Sequence, residues 1–564
     1  MATFFAITLR RVACLTILVS LHIAQVRGEA PQVERLFPPG AQRGQTIDIK
    51  VTGKLPETTR VWSDRSDVQF ELTPKSGTLR AVVSADATPG PAWLRFYNSE
   101  GATSLRPFII GLLPEISEQE PNDRIDQAQP PTQDKLLING VLQKSGDVDI
   151  FAVPLKQGQT VIISLRANQR LGSPVDAVLQ LTTARGFVLA HNDDDHQVDP
   201  QIIFTAATSD THYVRVFGFP TQPNSTIGFA GNADYLYRML ITTGAYADHT
   251  IPLAGSLPKL PKLTLSGWNL TEATQTPPTL RPTPTGHLTI FHPLVANELT
   301  IPVSSHQLLH EQEVEPTMPV QPIAVPSVVT GHIQPAGDVD AYRISAKKGE
   351  KLAIRCEARA FDSLLDPVVK LIDPQGKMVK EADDQGKGRL DSQLNVTIGT
   401  DGDYRVEIHD RFRSGGPRHA YRLITETPPV DFELKLAAGE FTMTAKKPLE
   451  IPVTITRTNG FKQEIEILVE GLPEGVTATP VKSLPKGDSA KSVKLKLVSE
   501  RSEPFQGTFH IRGRSTSETD SKQHSALYAL SSPARTTADI WLTVLKPAED
   551  KQAPKNKQPA QPKE

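Results

Sequence analysis

One stretch of this chain occurs twice. Residues 138–151 read Ile-Asn-Gly-Val-Leu-Gln-Lys-Ser-Gly-Asp-Val-Asp-Ile-Phe, and residues 329–342 align with them without a gap as Val-Thr-Gly-His-Ile-Gln-Pro-Ala-Gly-Asp-Val-Asp-Ala-Tyr. The match extends to closing strands that begin at Tyr237 and Tyr421. Self-similarity of this kind marks one supersecondary unit that has been copied, so the chain contains a duplicated module of roughly 110 residues.

The chain around the two copies has the pattern of β-structure. Short runs of alternating apolar and polar residues recur between clusters of Gly, Pro, Asn and Asp, which predicts half-buried strands joined by turns. No long helical periodicity follows the N-terminus. At about 100–150 residues per domain, the length suits four or five domains. We therefore predict an all-β fold of tandem β-sandwiches.

The N-terminus has the plan of a secretory signal peptide. Arg10 precedes an apolar run over residues 12–24, and Gly28 occupies the last position before a cleavage at Glu29. We therefore expect the protein to be secreted, periplasmic or held at the cell surface. No later stretch reaches the ~20 apolar residues of a transmembrane helix, so we expect no membrane span after cleavage.

Composition and motifs argue against several functional classes. The net charge is −2 with both signs mixed along the chain, which does not suit nucleic-acid binding. The sequence contains no H-E-x-x-H, G-x-S-x-G, phosphate-binding loop or C-x-x-C, so we expect no enzyme. After signal cleavage one cysteine remains, Cys356, in an alternating strand pattern that predicts a buried hydrophobe rather than a nucleophile.

The repeated motifs resemble a known family. They include E-P-N-D at 120–123, G-D-V-D before an aromatic-ended strand at 146–151, L-D-P-V-V-K-L at 365–371 and N-D-D at 192–194. This set resembles the bacterial pre-peptidase C-terminal (PPC) domain over about 119–243 and 313–426. The resemblance implies jelly-roll-like sandwiches attached to secreted proteases and other exported proteins. In collagenases such domains bind substrate, and some hold calcium where the linker meets the sandwich.

The flanking regions are predicted to be further β domains. Residues after Glu29 resemble a transcription-factor-type immunoglobulin-like domain. The segment after the first copy resembles the same domain more weakly. The tail is rich in Pro, Lys and Gln and is predicted to be disordered. The predicted order is signal peptide 1–28, immunoglobulin-like domain 29–112, first PPC-like copy 113–244, small immunoglobulin-like segment 245–305, second PPC-like copy 306–427, C-terminal immunoglobulin-like sandwich 428–546 and tail 547–564.

Two carboxylates precede the first strong strand of each copy. Alternate side chains of a strand share a face, so Asp147 and Asp149 lie on the side of Phe151 and Val153, which is the core side. Burying two carboxylates is costly unless a cation or hydrogen-bond donors neutralise them. Calcium suits such a place because it accepts six to eight oxygen ligands in flexible geometry.

We predict one calcium ion in the first copy. The linker spacing E-x-E-x-N-D resembles the calcium-binding linker of the collagenase members, and the candidate ligands are Glu118, Glu120, Asn122, Asp123, Asp147 and Asp149. The alternative is that the aspartates cap turn N–H groups or pair with Arg and Lys. In the second copy, residues 313–318 place Thr317 and Met318 where the first has Asn122 and Asp123, which predicts a weaker or absent site.

The expected partner is an extracellular polysaccharide or protein. Sugar-stacking candidates are Trp62, Trp93, Trp268 and Trp541, of which Trp93 and Trp541 lie in alternating strands and are expected in a core. Two alternatives remain: a purely architectural spacer at the cell surface, and an accessory subunit of a separate secreted hydrolase or peptidase.

Overall fold

The computed structural model describes residues 28–130, 133–219, 228–258, 260–312, 320–386, 389–516, 521–530 and 535–546. The fold is all-β, as predicted. Its helical structure within these ranges is one short α-helix (Asn168–Leu171, α1) and isolated 3₁₀ turns. No helix among the described residues is long and apolar enough to cross a membrane. The predicted signal peptide and tail lie outside the described residues.

The N-terminal module is a sandwich of two sheets. One has the order β1-β3-β6-β5 and the other β2-β9-β7-β4, with β8 paired to β7. Ile49, Leu79, Phe96 and Phe108 fill the space between them and are fully buried. The strands are Gln32–Phe37 (β1), Gly40–Gln42 (β2), Thr46–Lys54 (β3), Arg60–Ser63 (β4), Val68–Leu72 (β5), Thr78–Val83 (β6), Gly90–Asn98 (β7), Gly101–Ala102 (β8) and Arg106–Gly111 (β9).

The first copy of the repeat is also a two-sheet sandwich. Its sheets have the orders β10-β11-β18-β13-β16 and β12-β17-β14-β15. Alternating strands bring Phe151, Leu181, Val214 and Tyr237 into one buried cluster. The strands are Glu115–Ser117 (β10), Lys135–Val141 (β11), Asp149–Leu155 (β12), Thr160–Arg166 (β13), Ala177–Thr182 (β14), Val188–Asn192 (β15), Gln201–Thr205 (β16), Asp210–Gly218 (β17) and Leu236–Thr242 (β18).

A small module follows, with a two-stranded and a three-stranded sheet. Leu288 and Ile290 lie at the centre of its core cluster. The strands are Tyr246–Ile251 (β19), Thr264–Trp268 (β20), Thr279–Pro282 (β21), His287–Phe291 (β22) and Leu299–Pro302 (β23).

The second copy repeats the strand order of the first and adds one short strand, β25, beside β27. Its sheets have the orders β24-β26-β33-β28-β31 and β25-β27-β32-β29-β30. Cys356 is fully buried in its core, so the prediction of a structural cysteine is confirmed. The strands are Gln307–His310 (β24), Gln321–Pro322 (β25), Ser327–His332 (β26), Asp340–Ala346 (β27), Lys351–Glu357 (β28), Pro367–Ile372 (β29), Met378–Ala382 (β30), Ser392–Thr397 (β31), Gly402–Asp410 (β32) and Ala420–Glu426 (β33).

The C-terminal module is a single connected set of strands. Its main path is β35-β44-β41-β42-β34-β36-β40-β38, and Ile451, Leu495, Ile511 and Leu542 are fully buried within it. The strands are Asp431–Leu436 (β34), Glu440–Thr444 (β35), Leu449–Thr458 (β36), Ile465–Glu470 (β37), Val476–Ala478 (β38), Val481–Ser483 (β39), Ser492–Ser499 (β40), Phe505–Ser515 (β41), Gln523–Leu530 (β42), Arg535–Thr537 (β43) and Ile540–Leu545 (β44).

The modules fold back on one another rather than forming a row. The N-terminal and C-terminal modules meet where Arg95 Nη1 donates to Glu440 Oε1 at 2.5 Å and the rings of Trp62 and Trp541 lie 6.0 Å apart. The two copies meet where Arg418 donates to both oxygens of Asp195, at 2.8 and 2.9 Å. The two ends of the described chain are therefore packed together.

Candidate functional site

The linker into the first copy is hydrogen-bonded to the sandwich edge. Strand β10 pairs with β11 in parallel, so Ser117 lies opposite Asn139. The Gln129 side chain bonds to the linker backbone at two points. Its Oε1 accepts from the Gln119 backbone N–H at 2.9 Å, and its Nε2 donates to the Ser117 carbonyl at 3.3 Å. This backbone path brings residues 118–123 against the start of β12.

Three of the predicted ligands converge on one point. Ligand oxygens of Glu120, Asp123 and Asp147 all lie within 4.8 Å of one another. The Asp147 side chain is fully buried; its Oδ2 accepts from the Gln143 N–H at 2.5 Å, and its Oδ1 has no hydrogen-bond partner among the described residues. Lys144 Nζ approaches Asp123 Oδ2 at 3.8 Å and Asp147 Oδ1 at 4.0 Å.

The electrostatics of this group favour a cation. Burial, followed by the neighbouring carboxylates of Glu120 and Asp123, raises the pKa of Asp147. The Lys144 side chain is 67% exposed, and ion pairs in that environment contribute little. Three converging carboxylates with an unpartnered buried oxygen suit a hard cation such as calcium, which prefers oxygen ligands.

Glu118 and Asp149 belong to a second, different cluster. Tyr237 Oη donates to Asp149 Oδ2 at 2.6 Å and lies 3.1 Å from Glu118 Oε2, while Glu118 Oε1 accepts from the Val141 N–H at 2.7 Å. Burial and the adjacent Glu118 raise the pKa of Asp149 well above its usual range. Tyr237 and the Val141 backbone N–H thus supply hydrogen bonds to this pair.

Asn122 connects the two clusters. Its side chain is fully buried. With its amide nitrogen facing the two acceptors, it donates to Glu120 Oε2 and to Asp149 Oδ1, each at 3.1 Å. In this orientation the amide acts as a donor within the cluster rather than as an oxygen ligand. The six predicted ligands thus divide into a carboxylate triad, a tyrosine-bonded acid pair and a bridging amide.

The second copy holds its linker in the same way, with a shift in register. Glu311 Oε2 accepts from the His332 N–H at 2.7 Å, as Glu118 does from Val141, and Gln321 binds the linker backbone as Gln129 does. The counterpart of Glu118 is therefore Glu311, two residues earlier than the sequence alignment with Glu313 indicates. Residues 313–319, including Thr317 and Met318, lie outside the described residues.

The acid pair recurs in the second copy. Tyr421 Oη donates to Asp340 Oδ2 at 2.5 Å, and the hydroxyls of Tyr342 and Tyr421 are also 2.5 Å apart. Burial and Glu311 raise the pKa of Asp340 to about 9. Sequence reasoning missed Tyr237 and Tyr421 as site residues, although each is the second residue of the closing strand of its copy.

The carboxylate triad has no counterpart among the described residues of the second copy. Asp338 corresponds to Asp147 but is half-exposed. Both of its oxygens are occupied by backbone donors, from Gln334 at 3.0 Å and from Val339 at 2.8 Å. The two copies therefore differ at this position: Asp147 Oδ1 accepts no hydrogen bond from the described residues, whereas both oxygens of Asp338 do.

The tryptophans lie between modules. Trp93 and Trp541 are buried, as predicted, with exposures of 4% and 1%. They lie at the contact between the N-terminal and C-terminal modules, where Arg535 covers the Trp93 ring at 4.5 Å. Trp268 packs against Tyr246, and the Arg418 guanidinium lies 5.5 Å from the centre of its ring. These contacts occupy the rings that were candidates for sugar stacking.

Comparison with known proteins gives partial matches. No family model matches the chain. Over 176 residues it is 28% identical to a probable subtilase-type serine protease of Deinococcus radiodurans, covering 31% of this chain and 21% of that protein. The chain thus spans about a fifth of the length of this relative.

Solved structures with some likeness are β modules. The pre-peptidase C-terminal domain of a Bacillus anthracis collagenase is 16% identical, covers 21% of this chain and 99% of its own length, and has a TM-score of 0.16. Immunoglobulin domains 1–4 of Sidekick-1 are 11% identical, cover 92% and 99%, and have a TM-score of 0.19. A Bacteroides ovatus glucan-utilisation protein, solved with a mixed-linkage heptasaccharide, is 10% identical, covers 70% and 73%, and has a TM-score of 0.14.

Proposed function

We propose that this is an exported, non-catalytic protein that binds an extracellular polymer, protein or cell-surface component through its two repeated sandwiches. The observation that supports it is an exposed apolar hairpin at the same place in both copies. Phe187, Val188 and Leu189 are 67%, 50% and 42% exposed, and Met378 and Val379 are 54% and 43% exposed. Three consecutive exposed apolar residues are unusual on a surface that has no partner.

The position of the hairpins favours a protein partner. Val188 begins β15 and Met378 begins β30, and each strand ends its sheet, so one side of its backbone has no sheet neighbour. An extended polypeptide can add to such an edge by main-chain hydrogen bonds, while its apolar side chains contact the exposed ones. Because one chain has two such edges, simultaneous engagement would strengthen binding through effective concentration.

We further propose that calcium binds Glu120, Asp123 and Asp147 of the first copy. Asp123 belongs to the linker and Asp147 precedes β12, so one ion would fix the linker against the sandwich. The unpartnered Asp147 Oδ1 supports this assignment, since a buried carboxylate oxygen without a donor is costly. Glu118 and Asp149 would keep their hydrogen bonds to Tyr237 beside it.

The accessory-subunit alternative has one observation in its favour. Part of the chain is similar to a probable subtilase-type protease, so these modules could serve a separate protease chain. The spacer alternative is less favoured. A spacer gains reach from modules arranged in a row, whereas here Asp64 accepts from Arg535 at 3.2 Å across the two ends of the described chain.

The binding proposal is tested by probing protein and glycan arrays with the chain from Glu29 onward. We expect retention on protein surfaces and at least tenfold weaker binding of a variant with Phe187→Ser, Leu189→Ser and Val379→Ser. Leu257→Ser, at a 46% exposed leucine of the small module, is the matched control. Retention on glycans alone would show that the partner is a polysaccharide rather than a protein. No retention by the wild type, or unchanged binding of the triple variant, would overturn the proposal.

A further inference from the structure

The small module and the second copy meet at a pair of histidines. His249 comes from β19 and His332 ends β26, and their Nε2 atoms lie 3.1 Å apart. The ring centroids are 5.2 Å apart, so the two rings approach each other through these nitrogens rather than by stacking. The His249 side chain is 5% exposed and that of His332 is half-buried.

His249 is oriented by a carboxylate. Its Nδ1 lies 2.9 Å from Asp248 Oδ2, and Asp248 Oδ1 accepts from Arg418 Nε at 3.1 Å. Because an ionised carboxylate only accepts hydrogen bonds, Nδ1 carries the proton in the neutral ring. This leaves the lone pair of Nε2 directed at His332. A carboxylate behind Nδ1 is the usual support of a metal-binding imidazole.

The His332 ring lies at the edge of a solvent-accessible cavity. This cavity has a volume of about 390 Å³ and is lined also by His310 and Gln334. Two adjacent imidazoles with solvent access on one side provide nitrogen ligands together with room for water.

We propose that a divalent transition-metal ion binds between the Nε2 atoms of His249 and His332 and ties the small module to the second copy. With metal–nitrogen bonds of about 2.05 Å, a 3.1 Å separation gives an angle of about 98° at the metal. That value lies between planar and tetrahedral coordination, both common for imidazole-bound metals. Water from the cavity completes the coordination.

The proposed ion differs from calcium in ligand chemistry. Imidazole nitrogen suits Zn²⁺ and Cu²⁺, whereas calcium takes oxygen ligands. The calcium site belongs to the first copy and the histidine site to the contact of the small module with the second copy, so they share no residue. Loss of one should leave the other intact, and the histidine site does not depend on the proposed binding function.

Calorimetric titration of the mature chain with Zn²⁺ provides the test. We expect one ion per chain, and at least tenfold weaker binding for His332→Gln, whose amide can still hydrogen-bond to His249. His191→Ala, at an exposed histidine of the first copy, is the control and should bind Zn²⁺ as the wild type does. With Cu²⁺, electron paramagnetic resonance should show two coupled nitrogens in the wild type.

Zn²⁺ binding by the wild type and by the histidine variants decides whether the site exists. A His332→Gln chain with a wild-type melting profile and lost Zn²⁺ binding supports the site. The absence of stoichiometric binding by the wild type, or wild-type binding retained by both His332→Gln and His249→Asn, would overturn it and leave the pair as an interdomain hydrogen bond.

Discussion

Asp340→Asn isolates the energetic cost of the buried acid pair. Asp340 is 5% exposed, accepts from Tyr421 Oη at 2.5 Å and interacts with Glu311, and its pKa is raised to about 9. A carboxyl group whose folded pKa is raised stabilises the fold fully below its unfolded value and loses that contribution as pH rises towards the folded pKa. The asparagine variant lacks this pH-dependent contribution to stability, because an amide does not ionise.

The magnitude follows from the two pKa values. Between the unfolded value of 3.8 and pH 7 lie about 3.2 units, which at 1.36 kcal/mol each give a pH-dependent loss of at most about 4 kcal/mol in the wild type. This figure does not depend on the folded value as long as that value exceeds 7. The asparagine amide of the variant would still donate to Glu311 and accept from Tyr421, so the hydrogen bonds of the cluster persist.

Calorimetric unfolding from pH 4 to pH 9 is the assay. The difference in unfolding free energy, variant minus wild type, should rise with pH by up to about 1.4 kcal/mol per unit. Asp403→Asn, on neighbouring β32 with a side chain 52% exposed, is the control and should show no such slope. A constant difference across the range would refute the assignment of a protonated Asp340.

Three further perturbations probe the packing. Gly331→Ala would place a methyl group 2.5 Å from Tyr421 Oη and should lower stability by about 1–3 kcal/mol, measured by chemical denaturation, whereas Gly399→Ala, with nothing within 4 Å, should not. Trp541→Ala should cost about 3–5 kcal/mol and expose the contact between the terminal modules to proteolysis; unaltered digestion would contradict that contact. Arg418→Ala removes both hydrogen bonds to Asp195 and should expand the molecule in small-angle scattering, so an unchanged profile would count against the closed arrangement.

The sequence predicts much of the fold because its signals are local. Alternation places Asp147, Asp149 and Phe151 on one buried side, and all three are buried. The shared strand order of the two copies follows from the similarity of their sequences, which align without a gap over 138–151 and 329–342. The burial of Cys356 follows from the same alternation.

The remainder depends on contacts between distant residues. Tyr237 meets Glu118 across 119 positions, which no local pattern encodes, so the acid pair could not be separated from the carboxylate triad. In the second linker the Gln321 side chain bonds to the backbone of His310 and Gln312, and no local pattern in the sequence indicates this contact. Trp62, Trp93 and Trp541 pack between modules because the ends of the described chain meet. Alternation within a strand predicts that a side chain is buried but does not predict which residues it contacts.

The most direct test of the proposed calcium site is thermal unfolding of the chain from Glu29 onward with calcium or with a chelator. We predict that calcium at ~100 times its dissociation constant stabilises the first copy by about 2.7 kcal/mol. The shift should vanish in Asp123→Asn with Asp147→Asn and persist in the matched second-copy variant Asp338→Asn. If calcium moves no transition of the wild type, or moves that of the double variant equally, Glu120, Asp123 and Asp147 do not form a calcium site.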